Sequence, residues 1–498
     1  MRYCHSYYQK KAFRMRQLAL ATALATTLLS AGALAQAPQD GAGSLGARIS
    51  PDSLRGHLSY LSSDLLEGRA TPSRGLDLAA EYIAAQFRRA GLEPAGDDGY
   101  FQTANWQYAQ RQPGDLALTV NAGGATLNVP HGGASAGFLD PLSLAATPAV
   151  FMSWKAALED GGAANGKVLV VPAAPVPGAA ATLQKQLKSK PALILMVDRE
   201  RRHSRSGDGW LIDPEQPVVK GAPPVVLLHA ADAAAALEKG GATVAASVKP
   251  PQVRPVKLRN VVGLLRGSDP QLKNTYVLLS AHYDHLGIRD GEIYNGANDD
   301  ASGTVAVIET AAALAAEKER PKRSIVFIAL WGEELGLLGS RYYGRHPVFP
   351  VKDTVANLNL EQVGRTDDSE GPQVASVTMT GFDYSNVSDY LRKAGEQTGV
   401  RLWKHPKNSD MYFARSDNQS LADLGVPSHT LAVAFGFGDY HGKDDTWDKI
   451  DYDNMARVTR TVALALRNIA NDSSKPAWTS VPNAAKYLEA SRQLHGGK

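Results

Sequence analysis

Apolar residues recur at helical spacing near the start of the chain. Residues 53–64 and 76–90 carry them at intervals of three and four positions, which predicts two amphipathic helices. Pro94, Gly96 and Gly99 then interrupt the pattern. We therefore expect two helices followed by a loop.

The pattern changes to short apolar runs between about residues 113 and 249. Runs at 167–171, 192–197 and 224–228 are separated by Gly, Ala and Pro, which is typical of strands joined by turns. We interpret this region as a separate, mostly β insert.

Apolar strands alternate with helices from residue 260 onward. Residues 276–281 and 324–330 are compact apolar runs typical of buried strands, and the helical pattern at 302–317 lies between them. Later runs predict further strands at 374–380 and 429–435 and further helices at 386–398 and 453–469. This alternation favours a three-layer α/β/α sandwich with a mixed, mostly parallel central sheet, in addition to the β-rich inserted domain. In such sheets functional groups collect beyond the strand ends.

The N-terminus has the features of a secretory signal peptide. Arg14 and Arg16 precede an apolar run at 18–29, and small residues at 33 and 35 predict cleavage between Ala35 and Gln36. A membrane anchor is the alternative, but it needs about 20 apolar residues. We therefore expect a periplasmic or secreted protein that has no membrane contact after signal removal. Met15 is a second possible start of the same signal.

Composition narrows the chemistry of a possible site. Cys4 is the only cysteine and lies in the predicted signal, so disulfides, cysteine nucleophiles and thiolate-bound metal are excluded from the mature chain. Five of the 53 cations lie within residues 1–35, which contain no acid, so acids outnumber cations in the remainder. This balance gives no basic surface for nucleic acid. Any metal must be bound by histidines and carboxylates.

Two polar clusters lie where this architecture would place a functional site. His282 follows the strand at 276–281, and the carboxylate of Asp284 could hold the imidazole N–H that does not face a metal. The adjacent acids Asp299 and Asp300 precede a predicted helix. A polar loop residue and a helix cap are the simpler interpretations of these two clusters.

Three further segments supply acids or histidine. Glu333 and Glu334 follow the strand at 324–330, and neighbouring glutamates can divide metal binding and proton transfer between them. A solvated acidic loop is the alternative. Glu361 lies in an otherwise apolar stretch, and His441 follows a later predicted strand. Zinc accepts such nitrogen and oxygen donors when thiolates are absent, and five clusters in succession indicate one site.

These residues resemble the M28 family of zinc aminopeptidases, which bind two zinc ions. The similarity covers most of the predicted mature chain, and its most specific segments are His282-Tyr283-Asp284-His285-Leu286-Gly287, 294–303, 332–340, Tyr440-His441 and Asp445-Thr446. Leu66-Glu67-Gly68-Arg69, Ala80-Glu81-Tyr82-Ile83 and 90–96 resemble the same family. The β-rich insert resembles the protease-associated domain that is common in these enzymes.

The resemblance implies a secreted aminopeptidase that removes N-terminal residues from peptides through a water shared by two zinc ions. Its peptide substrates would carry a free N-terminus. Two Zn²⁺ ions per chain would be held by five residues, namely His282, Asp299, Glu334, Glu361 and His441. His282 and Glu361 would bind one ion, Glu334 and His441 would bind the other, and Asp299 would bridge them. Glu361 stands where Asp is common in the family.

The resemblance also implies roles around the ligands. Glu333 would be the general base and acid, and Tyr440 would polarise the scissile carbonyl or stabilise its oxyanion. Asp284 would support the first histidine ligand from behind. Arg415 and Asp417 would line the substrate site, with a structural ion pair between them as the alternative.

Pattern and resemblance together divide the chain into six segments: a signal peptide (1–35), a linker (36–47), an N-terminal part of the peptidase domain (48–135), the protease-associated insert (136–252), the metal-binding part of the peptidase domain (253–475) and a tail (476–498).

Other functions remain open at this point. A carboxypeptidase or dipeptidase could use the same scaffold, whereas glutaminyl cyclases share the fold but use one zinc, so the five-residue set argues against cyclisation. Ser135 lies in a Gly-x-Ser-x-Gly pattern, but a serine hydrolase needs a strand before that serine and a helix after it. Pro130 and Pro141 interrupt both. A non-catalytic receptor-like domain would have lost metal ligands, and none is missing here.

Overall fold

The computed structural model of the protein describes residues 44–173, 179–199, 209–216 and 221–496. The predicted signal peptide, its cleavage site, Cys4 and most of the predicted linker lie outside these ranges. Those assignments therefore stay predictions.

The strands in the described residues are short and numerous. Before residue 250 they are β1 (Glu93–Pro94), β2 (Phe101–Gln110), β3 (Leu116–Ala122), β4 (Ala125–Asn128), β5 (Ala134–Ala136), β6 (Leu142–Phe151), β7 (Val168–Pro172), β8 (Leu193–Val197), β9 (Gly209–Ile212), β10 (Val225–Leu228) and β11 (Thr243–Val248). After it they are β12 (Gln252–Leu265), β13 (Tyr276–His282), β14 (Gly287–Arg289), β15 (Glu292–Tyr294), β16 (Ser324–Leu330), β17 (Thr354–Leu360), β18 (Asp367–Asp368), β19 (Gly371–Pro372), β20 (Ser376–Met379), β21 (Arg401–Trp403) and β22 (Ser428–Ala432).

The α-helices of the described residues lie mostly at the two ends of the sequence and between the later strands. They are α1 (Ser44–Arg48), α2 (Pro51–Leu61), α3 (Arg74–Arg89), α4 (Trp154–Glu159), α5 (Ala179–Gln186), α6 (Ala231–Glu238), α7 (Ser302–Ala315), α8 (Leu338–Arg345), α9 (Val387–Thr398), α10 (Asn408–Met411), α11 (Asn418–Ala422), α12 (Tyr452–Asn471) and α13 (Ala485–Leu494). None of the described helices is both long enough and apolar enough to cross a membrane.

The larger sheet has parallel strands at its centre and antiparallel strands beside them. Its order is β21-β20-β22-β17-β13-β16-β12-β2-β9, and β1 pairs with β12. The four neighbours β22, β17, β13 and β16 are parallel, as is the pair β20–β21. The long strands β12 and β2 pair antiparallel on one flank. The mixed sheet that the sequence predicts is confirmed, with its parallel strands in the middle.

Alternate residues of the central strands enter two separate cores, as the period of two in a strand requires. Val277 and Leu279 of β13 pack in one apolar cluster, whereas Tyr276 and Leu278 pack in another. Strands buried on both faces read as continuous apolar runs, which is why β13 and β16 stand out in the sequence.

Helices cover each core and complete the three-layer sandwich. One cluster includes Leu58 of α2, Ile83 of α3, Ile308 of α7 and Leu466 of α12. The other includes Tyr343 of α8, Leu421 of α11 and, at its edge, Leu494 of α13. The predicted α/β/α architecture is therefore confirmed.

A second sheet is built from the β-rich part of the chain. Its order is β4-β3-β11-β6-β7-β8-β10-β5, so its strands run from Leu116 to Val248. This range lies within the β-rich region expected at 113–249, whereas the segment boundary at 136 falls inside the sheet, because β3 pairs with β11. Within this stretch β9 instead joins the larger sheet beside β2.

Candidate metal centre

The polar side chains singled out in the sequence converge at the carboxyl ends of the parallel strands. His282 is the last residue of β13, and Glu361 directly follows β17. Glu333 and Glu334 lie in the loop after β16, and His441 lies in the loop after β22. Because these four strands are parallel neighbours, their carboxyl ends lie at one edge of the sheet.

His282, Asp299 and Glu361 form one candidate set of metal ligands. One ligand atom from each lies within 4.8 Å of those of the other two. The Nε2 atom of His282 is 3.3 Å from Oδ1 of Asp299, yet this nitrogen is buried without a hydrogen-bond partner in the described part of the chain. A buried imidazole nitrogen that faces two carboxylates is suited to a cation.

A second set lies beside the first and shares Asp299 with it. His285, Asp299 and Glu334 meet the same 4.8 Å criterion. Nδ1 of His285 is 2.8 Å from Oε1 of Glu334, although neither atom makes a hydrogen bond among the described residues. Nε2 of His441 is 3.2 Å from Asp299 Oδ2 and 3.2 Å from Glu334 Oε2. Such close approach without a hydrogen bond is what we expect of ligand atoms that point at a common ion.

Asp299 lies between the two sets. Its Oδ1 atom faces His282 and its Oδ2 atom faces His441. The carboxylate is 2 % exposed. Asp299 is therefore the residue that the two candidate ligand sets have in common.

The adjacent acids Asp299 and Asp300 have different roles. The sequence left open whether they bind a metal or cap a helix, and each interpretation fits one of them. Asp300 Oδ1 accepts the N–H of Gly303 at 3.0 Å, three residues on, at the start of α7. The same oxygen accepts the N–H of Gln362 at 3.1 Å. Asp300 thus caps the helix and ties it to the segment of Glu361, while Asp299 faces the site.

The charges of the site favour a bound cation. Burial would raise the pKa of Asp299, but the nearby imidazoles of His282 and His441 outweigh it and lower that pKa. Burial and the charge of Asp299 would likewise raise the pKa of Glu334. The imidazoles of His285 and His441 have the larger, opposite effect and lower that pKa to about 2. Despite burial, Asp299 and Glu334 raise the pKa of His441 to about 10. A metal ion would replace the imidazole protons that otherwise balance these carboxylates.

The donors fit zinc. All are imidazole nitrogens or carboxylate oxygens, which Zn²⁺ binds with about four ligands in each site. Burial raises the pKa of Glu361 to about 7, and a bound cation would favour its ionised form.

Asp284 connects His282 to the loop that carries Glu333. Its main-chain oxygen lies 3.2 Å from Nδ1 of His282, and its Oδ1 lies 3.5 Å from the same nitrogen. Oδ1 also accepts the N–H of Glu333 at 3.1 Å, and Thr71 donates its hydroxyl to Oδ2 at 3.2 Å. The ring nitrogen that faces away from the ligands is therefore held, as the sequence predicts for this residue.

Glu333 and Tyr440 lie beside the ligands. Burial and the nearby Glu361 and Glu334 raise the pKa of Glu333, a shift that suits a group which must take up and release a proton. The Tyr440 ring stacks on His441 with centroids 4.1 Å apart and is 47 % exposed. Partial burial and the site carboxylates raise the pKa of Tyr440, so its phenol keeps its proton.

Arg415 and Asp417 have different surroundings. The guanidinium of Arg415 lies 5.0 Å from the centre of the Tyr412 ring, and the side chain is exposed. Asp417 is 1 % exposed, and its oxygens have no hydrogen-bond partner among the described residues. No ion pair between these two is found in the described part of the chain, and burial raises the pKa of Asp417 to about 6.

Ser135 does not lie in a strand–turn–helix elbow. It is the middle residue of β5, and the next element is another strand, β6. Its hydroxyl lies 3.2 Å from Nε2 of His229. Ser385 and His429 form the same kind of pair at 2.6 Å in the buried core, so a Ser–His contact is not particular to Ser135.

Two residues of the site were not assigned a role from the sequence. His285 lies in the family-like segment 282–287, but the five-residue ligand set that the resemblance implies does not include it. Asp445 accepts the N–H groups of Asn298 and Asp299 at 3.0 and 3.1 Å and so orients the bridging carboxylate. A histidine three residues after His282 was the available signal for the first. Asp445 lies in the family-like segment Asp445-Thr446, but the sequence does not reveal its contact with Asp299, which is 146 residues away.

Comparison with known proteins agrees with this geometry. Residues 260–466 match peptidase family M28. Leucine aminopeptidase 1 of Trichoderma harzianum is 28 % identical over 221 residues, which are 42 % of this chain and 54 % of that protein. A probable zinc metalloprotease of Pyricularia oryzae is 37 % identical over 262 residues, which are 44 % of this chain and 51 % of that protein.

The fold has a counterpart of similar extent among solved structures. The aminopeptidase from Aneurinibacillus sp. strain AM-1 superposes with a TM-score of 0.61 at 20 % identity, covering 85 % of this chain and 95 % of that one. The chain spans about half the length of these two sequence relatives. Within the chain, residues 260–466 are therefore the part that carries the likeness to peptidase family M28.

Proposed function

We propose that the protein is a zinc-dependent aminopeptidase that hydrolyses the first peptide bond of peptides with a free N-terminus, using two zinc ions. The observation that carries this proposal is the pair of ligand sets that share Asp299. The match of residues 260–466 to peptidase family M28 supports peptide hydrolysis, and the names of the two relatives support zinc and an N-terminal substrate.

The residues of the site suit the steps of this reaction. When bound, zinc supplies Lewis acidity, which lowers the pKa of water and stabilises negative charge on an oxygen. Glu333 takes the proton of the attacking water on its carboxylate and delivers it to the nitrogen of the leaving amine. The phenolic O–H of Tyr440 donates to the carbonyl oxygen of the scissile bond as that oxygen gains charge. Asp284 fixes the orientation of the first histidine during both steps.

Secretion is part of the proposal. The cationic start, the short apolar run and the small residues before Gln36 support export and cleavage. N-terminal sequencing of the protein from its native host tests this directly, and a mature chain that begins at Gln36 is the expected result. A chain that retains residues 1–35 would contradict it.

A panel of substrates tests the proposed activity. Unblocked peptides and aminoacyl amides are compared with their N-acetylated forms, before and after treatment with a chelator. We expect cleavage of the first residue in the unblocked forms only, with loss of activity after chelation and recovery on adding Zn²⁺. Equal cleavage of blocked peptides would contradict an aminopeptidase. Release of C-terminal residues would favour the carboxypeptidase alternative.

A further inference from the structure

Arg69 lies at the end of the tight turn Asp64–Arg69, which contacts strands β14 and β15 between His285 and Asn295. The residue is 1 % exposed. Its Nε donates to the carbonyl of Tyr283 at 2.7 Å, Nη1 to that of Asn295 at 2.8 Å, and Nη2 to that of Gly296 at 3.0 Å. One planar side chain thus binds carbonyls from two separate loops.

Those loops carry the ligands. Tyr283 directly follows His282, and Gly296 lies three residues before Asp299. The main-chain oxygen of Arg69 also accepts the N–H of His285 at 3.2 Å. The position of Arg69 therefore fixes the spacing between the loop of both early histidines and the loop of the bridging aspartate.

The same guanidinium anchors this arrangement to the helical layer. Nη1 also donates to the carbonyl of Leu61, the last residue of α2. Burial lowers the pKa of Arg69 to about 10, and the nearby Asp284 and Asp445 act in the opposite direction. A buried cation is costly unless its donors are satisfied, and here several are bound to main-chain carbonyls.

Arg323 offers a matched comparison. It is also fully buried, and it donates to Thr275 Oγ1 at 2.5 Å and to the carbonyls of Ser473 and Ser474 at 2.9 and 3.0 Å. It precedes β16, at the end of that strand opposite to the metal-site loop. Arg323 therefore shares the burial and the carbonyl acceptors of Arg69 but not its position.

We propose that Arg69 is a positioning residue that sets the zinc affinity of the site by holding the two ligand loops at a fixed spacing. The inference rests on the proposed zinc-dependent function. Lysine would keep the positive charge, but its three donors radiate from one nitrogen and cannot span the carbonyls of both loops. Arg69→Lys therefore changes the geometry while it preserves the charge.

The test compares wild type, Arg69→Lys and Arg323→Lys as full-length proteins. Folding is checked by circular dichroism, and zinc Kd is measured by competition with a chromophoric chelator. We expect Arg69→Lys to raise the zinc Kd about 10- to 100-fold, the range usual when a residue that orients a metal ligand is replaced. With zinc saturating, kcat should fall while KM for an unblocked peptide stays unchanged. Arg323→Lys should lower thermal stability and leave the zinc Kd as in wild type.

Each outcome has a distinct meaning. A folded Arg69→Lys protein with the wild-type zinc Kd overturns the inference alone, whereas a wild-type protein that binds no zinc overturns the proposed function. If Arg69→Lys does not fold, Gly68→Ala replaces it. Gly68 has φ of 66°, and an added Cβ would collide with the carbonyl oxygens of Tyr294 and Gly287, so the turn must shift. An unchanged zinc Kd in folded Gly68→Ala would overturn the inference as well.

Discussion

The chemistry of this site depends on neighbouring acids that face different partners. Asp299 faces histidines on both sides, while Asp300 caps a helix. Glu334 faces His285 and His441, which leaves Glu333 free of direct contact with a histidine among the described residues. One acid of each pair therefore lies in a candidate ligand set, and the other has different contacts.

Replacing Glu333 by Gln tests the separation of metal binding from proton transfer. We expect Glu333→Gln to keep its zinc and to lose roughly 10²- to 10⁴-fold in kcat, because the amide cannot accept a proton. Metal analysis and steady-state kinetics measure the two properties. Glu334→Gln is the matched control, and it should lose zinc. Full activity in Glu333→Gln would show that its assigned role is wrong.

The site residues that could be identified from the sequence are those that lie next to a recognisable apolar strand. His282, Glu333, Glu334 and Glu361 follow apolar runs that mark strands, so their placement at one sheet edge was predictable. Arg69 lies more than two hundred residues from the loops that it binds, and only the folded chain brings them together. Its contacts are to main-chain carbonyls, which no pattern of side chains reveals.

At the scale of elements, strand β22 carries a buried polar group that ties it to its neighbours. His429 is fully buried, its Nδ1 donates to the carbonyl of Thr380 at 2.9 Å, and its Nε2 accepts the hydroxyl of Ser385 at 2.6 Å. Both ring nitrogens are satisfied only when the imidazole is neutral. Burial accordingly lowers the pKa of His429 to about 4.

This shift predicts a loss of stability in acid. Because the folded pKa lies below the ordinary value of about 6.5, the unfolded chain binds more protons between these values. The neutral His429 imidazole contributes fully to the free energy of unfolding above about pH 6.5. This contribution is lost as the pH falls toward about 4, by about 3 kcal/mol in total. Denaturant unfolding across this range should show a steeper decline in wild type than in His429→Gln. Parallel declines would contradict the assignment.

The elements that sequence identified best were the apolar strands and the amphipathic helices. Strand β16 was predicted with its observed bounds, and α9 and α12 were predicted to within about two residues. The β-rich region at 113–249 was also predictable, but the segment boundary at 136 separates β3 from β11, the strand with which it pairs. Pairing across more than a hundred residues is not encoded in a local pattern.

At the scale of the molecule, Arg111 ties the two sheets together where the chain passes between them. It directly follows β2 of the larger sheet and donates to the carbonyls of Ala136 and Phe138 beside β5. It also donates to the main-chain carbonyl of Lys249, where the chain returns toward β12. The guanidinium lies between the rings of Phe138 and Trp210, at 5.1 and 4.9 Å.

Removing this side chain should weaken the junction. Arg111→Ala leaves three carbonyls without their charged donor, and we expect the free energy of unfolding to fall by about 2–4 kcal/mol. Arg254→Ala is the control, since its exposed guanidinium only covers the Tyr108 ring at 5.0 Å and should cost less than about 1 kcal/mol. Equal losses in the two variants, measured by urea denaturation, would contradict a special role for Arg111.

The central claim is that two zinc ions share the carboxylate of Asp299, and zinc titration by calorimetry with metal analysis measures this most directly. Wild type should bind two ions per chain, Glu361→Ala should bind one tightly, and Asp299→Ala should lose tight binding at both positions. A single tightly bound ion in wild type would contradict the account and favour a cyclase-like site. Two tightly bound ions in Asp299→Ala would contradict the bridge.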